Sequence, residues 1–485
     1  MRKSGLIIGL ITACALFLAH FVVGTIPVAD GGGWDGAAYL AHINTLGRGE
    51  PVIGDPYRAI RMSGFIPLVA ASALGFSRAA LISLQKFLNI GALSVAAMLF
   101  YDALCWLKVK QETAVISAAV LVSSWSFLVM PVFYPVLSDN VALGLGCVCL
   151  WCWAKSHKWA VYMFCAYFVW LFPGLFLIPL VFSAMPLEMN KNRDAHTKHH
   201  LMPSILLFLI TAGLFVFFMT GTILNTSIQE IDSHAASGDG LTAAPDFLLT
   251  TSVYLLVSGL MAIWALVKLA TDFDTWRSIN PAGTFFAMLL VAGSVVVMSV
   301  TLNWNAGYAG PPLLHFMLLQ GLAAPFKPLV AHFASFGPVI ILAIFSCLAW
   351  TSGKNSSIPK ALLVILAVFL PFLVFGSESR QWIGVFPIAV AVFALADYSR
   401  LQRILCLIFS LLLLLPAFWL QDSTRMAVQQ GLGLQSPQWQ FYFGHQGPWM
   451  SLKTYELGML GLIGFVLAIG IAPKLQMLIS KERQT

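Results

Sequence analysis

Apolar positions in this chain fall in long unbroken stretches rather than in the alternating pattern of a half-buried strand. Windows of about 19 residues pick out segments at 5–28, 79–105, 112–130, 138–154, 201–220, 248–268, 282–301, 336–351, 360–376, 383–398, 403–420 and 456–472. Most are long enough to cross a hydrocarbon core about 30 Å thick. Backbone in lipid must satisfy its own hydrogen bonds, so segments without alternation are helices. The predicted fold class is all-α: a polytopic transmembrane helical bundle of about twelve full spans. One further apolar stretch, 158–186, has basic residues on both flanks (Lys155 and Lys158 before, Lys191, Arg193 and Lys198 after) and Pro173-Gly174 in its middle. Proline followed by glycine breaks a helix readily. This stretch is expected to form a re-entrant pair of short helices on the cytoplasmic side, with a kinked full span as the alternative.

Charge supplies the orientation. With the N-terminus inside, the inner ends of the spans carry 18 of the 27 basic residues, and the opposite side carries 12 of the 20 acids. That bias satisfies the positive-inside rule at nearly every inner loop and puts both termini in the cytoplasm. Met1-Arg2-Lys3 followed by apolar sequence to about Val28 resembles a signal peptide, but the run is too long for one and is expected to be a retained signal anchor. The long loops then lie outside, at 29–78, 221–247, 302–335 and 421–455, and are expected to carry interfacial helices. No linker marks a soluble domain. The chain divides into a membrane module, 1–220, and a C-terminal membrane region, 221–485.

Composition agrees with a membrane protein: 59% hydrophobic, 10% charged, mean hydropathy +0.85. A soluble domain carries about 25% charged residues. The net charge of +7 comes from singly scattered Lys and Arg between spans, not from a basic block with aromatics, so nucleic acid is not an expected partner. The eight cysteines lie within or beside apolar segments, which argues against a disulfide framework. Cys147, Cys149 and Cys152 are too poorly aligned on a helix to hold a metal and have no His or acid to complete a set. No metal and no cofactor is expected.

The candidate chemistry lies in the outer loops. Residues 34–47 read as a short helix closed by Gly47. Asp35, Tyr39 and His42 share one of its faces, and Leu40 and Ile43 share another, as suits a helix lying in the interface plane. Asp35 is a candidate general base, or equally an N-terminal cap. Next come Asp55-Pro-Tyr57-Arg58 and Arg61, two arginines on one helical face and against the positive-inside bias. Guanidinium groups bind phosphate bidentately. The alternative is pairing with Asp55 or with lipid headgroups. Asp139, in Ser138-Asp139-Asn140, opens the fourth span on the same side, facing a cavity or capping the helix. Glu378 and Arg380, in Gly376-Ser-Glu-Ser-Arg-Gln-Trp382, form either a functional pair at a tight outer turn or a simple salt bridge. His315, His332 and Lys327 are weaker candidates.

The order of these motifs resembles a known family. An outer loop holds Trp34-Asp35-Gly-Ala-Ala-Tyr39, then Arg48-Gly49-Glu50, Asp55-Pro-Tyr57-Arg58 and Gly64-Phe-Ile-Pro67-Leu, and a second outer turn holds Tyr134-Pro135-Val-Leu-Ser-Asp139-Asn140. Over about residues 1–220 this is similar to the GT-C superfamily of polyprenyl-phosphate-sugar-dependent glycosyltransferases. The resemblance implies that Asp35 is the catalytic carboxylate, acting alone or sharing the work with Asp139. It implies a lipid-linked sugar donor and a glycan, lipid or protein acceptor among membrane lipids. The loop assignment puts the site on the outer face, and short inner loops with no organelle signal point to the periplasmic face of a bacterial inner membrane. On this expectation Arg58, Arg61 and Arg380 hold the donor phosphate, and Tyr39, His42, Tyr57 and Glu378 contact substrate. Rival expectations are a polymerase or ligase of lipid-linked glycans, and a transporter or flippase.

Overall fold

The structure, a computed structural model, describes residues 3–187, 201–227, 229, 248–302, 313–352, 358–419, 429–430, 450 and 452–482. The described residues are helical and contain no strand. The basic stretch 191–198 and residues 303–312 of the loop 302–335 lie outside them, as do residues 230–247 of the loop 221–247 and most of the loop 421–455.

Among the described residues, six helices are long and apolar enough to cross a membrane: Lys3–Val23, Arg78–Trp106, Met202–Asn225, Leu248–Thr271, Pro281–Thr301 and Thr454–Pro473. Two bent pairs raise the number to eight: Gln111–Val122 with Trp125–Phe133, at 66°, and Lys327–Phe336 with Val339–Thr351, at 119°. By length and composition these helices are consistent with a multi-pass membrane protein. The remaining expected spans fall on shorter or less uniformly apolar helices, such as Ser138–Ala154 and Lys360–Phe375. Large apolar side chains such as Leu10, Phe217, Phe285 and Val300 cover the outer faces of the long helices, the surface a lipid phase requires.

The N-terminal half positions the candidate site. We number its helices α1 (Lys3–Val23), α2 (Trp34–Gly47), α3 (Pro56–Ala59), α4 (Ile66–Ala73), α5 (Arg78–Trp106), α6 (Gln111–Val122), α7 (Met130–Phe133), α8 (Ser138–Ala154), α9 (Lys158–Val169) and α10 (Leu177–Ala184). Helix α5 packs along α1 and α8 and is the spine of this half. Helices α2 to α4 fold back over the end of the bundle where α1 finishes and α5 and α8 begin. The expected interface helix is therefore placed differently. Tyr39, Leu40 and Ile43 of α2 are all buried in protein, because α4 packs against the helix where lipid was expected.

Prolines punctuate the starts. Pro56, Pro67 and Pro131 each sit in the first turn of a helix, where the missing N–H has no partner to lose. Asp55 caps α3 by accepting from the backbone N–H of Arg58 at 3.1 Å.

The stretch 158–186 is a hairpin. Helices α9 and α10 pack on each other across a break at Trp170–Phe176 that includes Pro173. Its two ends meet beside the C-terminal end of α8, where the Trp153 indole donates to the Met185 carbonyl at 2.9 Å and stacks on Phe182. Its tip reaches the opposite end of α8. There Ser63 donates to the Trp170 carbonyl at 2.8 Å, and Tyr167 donates to the Ser63 carbonyl at 3.0 Å.

Candidate active site at the end of the bundle

A turn between α7 and α8 sets the site. Asn89 of α5 donates from Nδ2 to the carbonyls of Pro131 (2.9 Å) and Pro135 (3.0 Å). Asn140 of α8 donates to the carbonyls of Tyr134 (3.1 Å) and Pro135 (3.0 Å). Both asparagines are buried, where an unmade bond costs about 1–3 kcal/mol, so the turn has one conformation. It aims the Tyr134 hydroxyl at the start of α2, where it accepts from the backbone N–H of Asp35 (2.7 Å) and of Gly36 (3.3 Å).

That approach explains the glycines. Gly33 has φ +67°, and a Cβ there would lie 2.4 Å from the Tyr134 ring. A Cβ on Gly36 would lie 2.9 Å from the Val136 carbonyl oxygen. Only glycine admits both the backbone angle and the contact at position 33.

Asp35 is thereby presented to two arginines from opposite ends of the sequence. Arg58 donates to Oδ1 from Nη2 (2.6 Å) and Nε (3.3 Å), and Arg380 donates to Oδ2 from Nη1 (2.6 Å). The capping alternative is excluded, since α2 has no side-chain cap and the carboxylate is engaged elsewhere. Arg58 also donates from Nη1 to Asp55 (2.9 Å), whose Oδ2 meets His42 Nε2 at 3.1 Å. Arg380 donates from Nε to Glu378 (2.8 Å), and Gln381 bonds the other Glu378 oxygen. The pairs Arg58–Asp55 and Glu378–Arg380 both exist, but each is one link of a row: His42, Asp55, Arg58, Asp35, Arg380, Glu378. Burial opposes the charge on Asp35, yet the Arg380 and Arg58 guanidiniums outweigh it and hold its carboxyl well below the usual carboxylate range. Asp55 is also held low, by Arg58 and His42 against its partial burial.

Arg61 is of another kind. Its side chain is only 7% exposed, with the guanidinium carbon 4.1 Å from the centre of the Tyr57 ring and 4.2 Å from that of Phe172. Among the described residues it makes no ion pair, and its Nε has no acceptor. Phe172 comes from the tip of the α9–α10 hairpin, so this segment reaches the site. Asp139 is buried at the start of α8 with Oδ1 unpartnered, under the charges of Arg380, Arg61 and Asp35. It caps nothing: the N-cap is Leu137, without a side-chain bond. Tyr39 is buried and meets Ser138 Oγ at 3.3 Å. It acts by holding the start of α8, whereas Tyr57 stacks on Arg61.

The nine residues expected to act on or bind substrate (Asp35, Asp139, Arg58, Arg61, Arg380, Tyr39, His42, Tyr57 and Glu378) thus belong to one cluster. Sequence reasoning did not assign roles to Tyr134, Asn89, Asn140 or Phe172. The tight Tyr134-Pro135 turn and the Pro173-Gly174 break were the signals for them. His332 lies beside the cluster, its Nδ1 2.8 Å from Ser379 Oγ. Lys327 is fully buried. The cysteines are free, and among the described residues no three His, Cys, Asp or Glu side chains are grouped to hold a metal ion.

Compared with known proteins, the chain matches no family model, no curated protein and no solved structure. The functional reading therefore rests on the chemistry of the cluster.

Proposed function

We propose that this protein is an inverting membrane glycosyltransferase that moves a sugar from a polyprenyl-phosphate donor to an acceptor hydroxyl. The observation that carries the reading is the buried guanidinium of Arg61. It has no counter-ion in contact and lies at the bundle end among two more arginines and two carboxylates. Two aromatic faces and the field of Asp139 hold this buried cation, but no acceptor meets its Nε, and an arriving anion would supply one. A lipid phosphate supplies the anion from the membrane side.

In the reaction, the acceptor oxygen bonds to the anomeric carbon as the bond from that carbon to the phosphate oxygen breaks. The electron pair leaves with the phosphate, where Arg61, Arg58 and Arg380 stabilise its charge. Asp35 takes the acceptor's proton, with Asp139 sharing the polar face beside it. General-base help of this kind contributes about 10²–10⁴-fold. Tyr57 and His42 shape the donor side, and Glu378 orients Arg380.

The same reading has twelve crossings, cytoplasmic termini and a site facing the periplasm of a bacterial inner membrane. Its test is transfer from a synthetic lipid-phosphate sugar by the purified chain, read as release of lipid phosphate. No release from any such donor, from a panel of hexoses and pentoses, would refute the reading. Sidedness is checked separately: a cysteine at Glu50 should react with an impermeant maleimide in intact cells, and one at Gln111 only after permeabilisation.

A further inference from the structure

Asp35 occupies the two guanidinium edges that face each other across the site. Arg58 gives it Nε and Nη2, and Arg380 gives it Nη1. The flanking acids hold other edges: Asp55 takes Arg58 Nη1, and Glu378 takes Arg380 Nε. Both Asp35 oxygens are therefore engaged, Oδ1 by two N–H groups and Oδ2 by one, so the carboxylate is held by two cations and weakened as a base for an incoming hydroxyl. As it stands, the site closes on itself.

We infer that Asp35 is the internal occupant of the phosphate seat, and that the donor's phosphate displaces it from Arg58 and Arg380, freeing the carboxylate to act as base. The inference rests on the function proposed above and adds its control. A phosphate offers several anionic oxygens to the N–H edges that Asp35 leaves, so one anion replaces another and no arginine is stranded. Asp55 and Glu378 keep the guanidinium planes in place during the exchange, because their bonds use N–H groups that Asp35 does not. Arg61, bound to no carboxylate and more buried than Arg58 and Arg380, adds its charge to the phosphate once it is seated. The base then gains its full strength only when a donor is seated.

The exchange makes an unusual demand: removing the catalytic carboxylate should improve donor binding. The experiment is calorimetric titration of the detergent-purified full chain with farnesyl phosphate, with farnesol as the control lacking phosphate. Asp35→Asn should bind farnesyl phosphate about tenfold or more tighter than the parent. Glu50→Gln removes a charge from the same loop, at an exposed pair with Arg48, and should bind like the parent. Glu378→Gln removes a charge from the cluster without vacating the facing edges, and its gain should be clearly smaller than that of Asp35→Asn. If Asp35→Asn does not purify folded, Asp35→Ser vacates the same seat and is held to the same expectation. Unchanged or weaker binding by the folded variant, or equal gains for positions 35 and 378, would overturn the exchange while leaving the transferase reading standing. Failure of the parent and every variant to bind farnesyl phosphate would overturn both.

Discussion

Arg61→Met separates a ligand-binding arginine from a structural one, because the two roles predict opposite stability changes. Methionine keeps the length and the apolar stem and loses the charge. Two ring contacts at 4.1 and 4.2 Å are lost as cation–π interactions, worth about 2 kcal/mol each when desolvated. Sulfur–aromatic contacts return about 0.3–1.5 kcal/mol each. On the other side, the variant no longer buries a guanidinium whose Nε has no acceptor, a group that costs about 1–3 kcal/mol unmet, with several more for the charge itself. The Asp139 carboxylate loses one favourable charge and keeps that of Arg380. The sum is neutral or stabilising. The assay is thermal unfolding of the purified chain in one detergent, alongside titration with farnesyl phosphate. The expected result is a melting temperature equal to or above the parent's, with phosphate affinity lower by tenfold or more. A variant that melts several degrees lower and binds phosphate like the parent would show that Arg61 is a packing residue and would refute the reasoning.

Three further outcomes follow from the same geometry. Asp35→Asn should lower transfer by about 10²-fold or more with normal membrane insertion, and Asp139→Asn run beside it shows whether the loss is shared; a parental rate of sugar release in Asp35→Asn removes it as base. Tyr134→Phe strips the acceptor from two N–H groups at the start of α2 and should destabilise by about 1–3 kcal/mol while lowering transfer, and Gly33→Ala should do the same through its clash with the Tyr134 ring, both read by melting temperature and rate. Because the folded Asp35 carboxyl is held low, its stabilisation is present above its unfolded value of about 4 and is lost as pH falls below it. The melting-temperature gap between parent and Asp35→Asn should therefore be widest above about pH 5 and shrink toward pH 3.

Hydrophobic pattern alone determined the class of this protein. Stretches such as Lys3–Val23 and Pro281–Thr301 have no other stable solution than a lipid-facing helix, since each must satisfy its own backbone. The same local logic placed the break near Pro173 and the helix at Trp34–Gly47, because proline, glycine and helical spacing act within a few residues. The chemistry-bearing residues were legible for a related reason: charges are so rare in this chain that Asp35, Arg58, Arg61, Asp139 and Arg380 stand out. What they do to each other was not legible. Whether Asp35 capped a helix, whether Arg58 spent itself on Asp55, and whether Arg380 stopped at Glu378 were all open by sequence. Each depended on partners up to 345 positions away. Only the tertiary structure brings the 376–382 turn, the 134–139 turn and the hairpin tip with Phe172 onto the first loop. The 134–139 turn is fixed there because the spine helix α5 carries Asn89, and α8 carries Asn140, to lock it from two sides. Tertiary packing also decided that Leu40 and Ile43 face protein rather than lipid, since an apolar helix face reads the same in sequence whichever medium covers it.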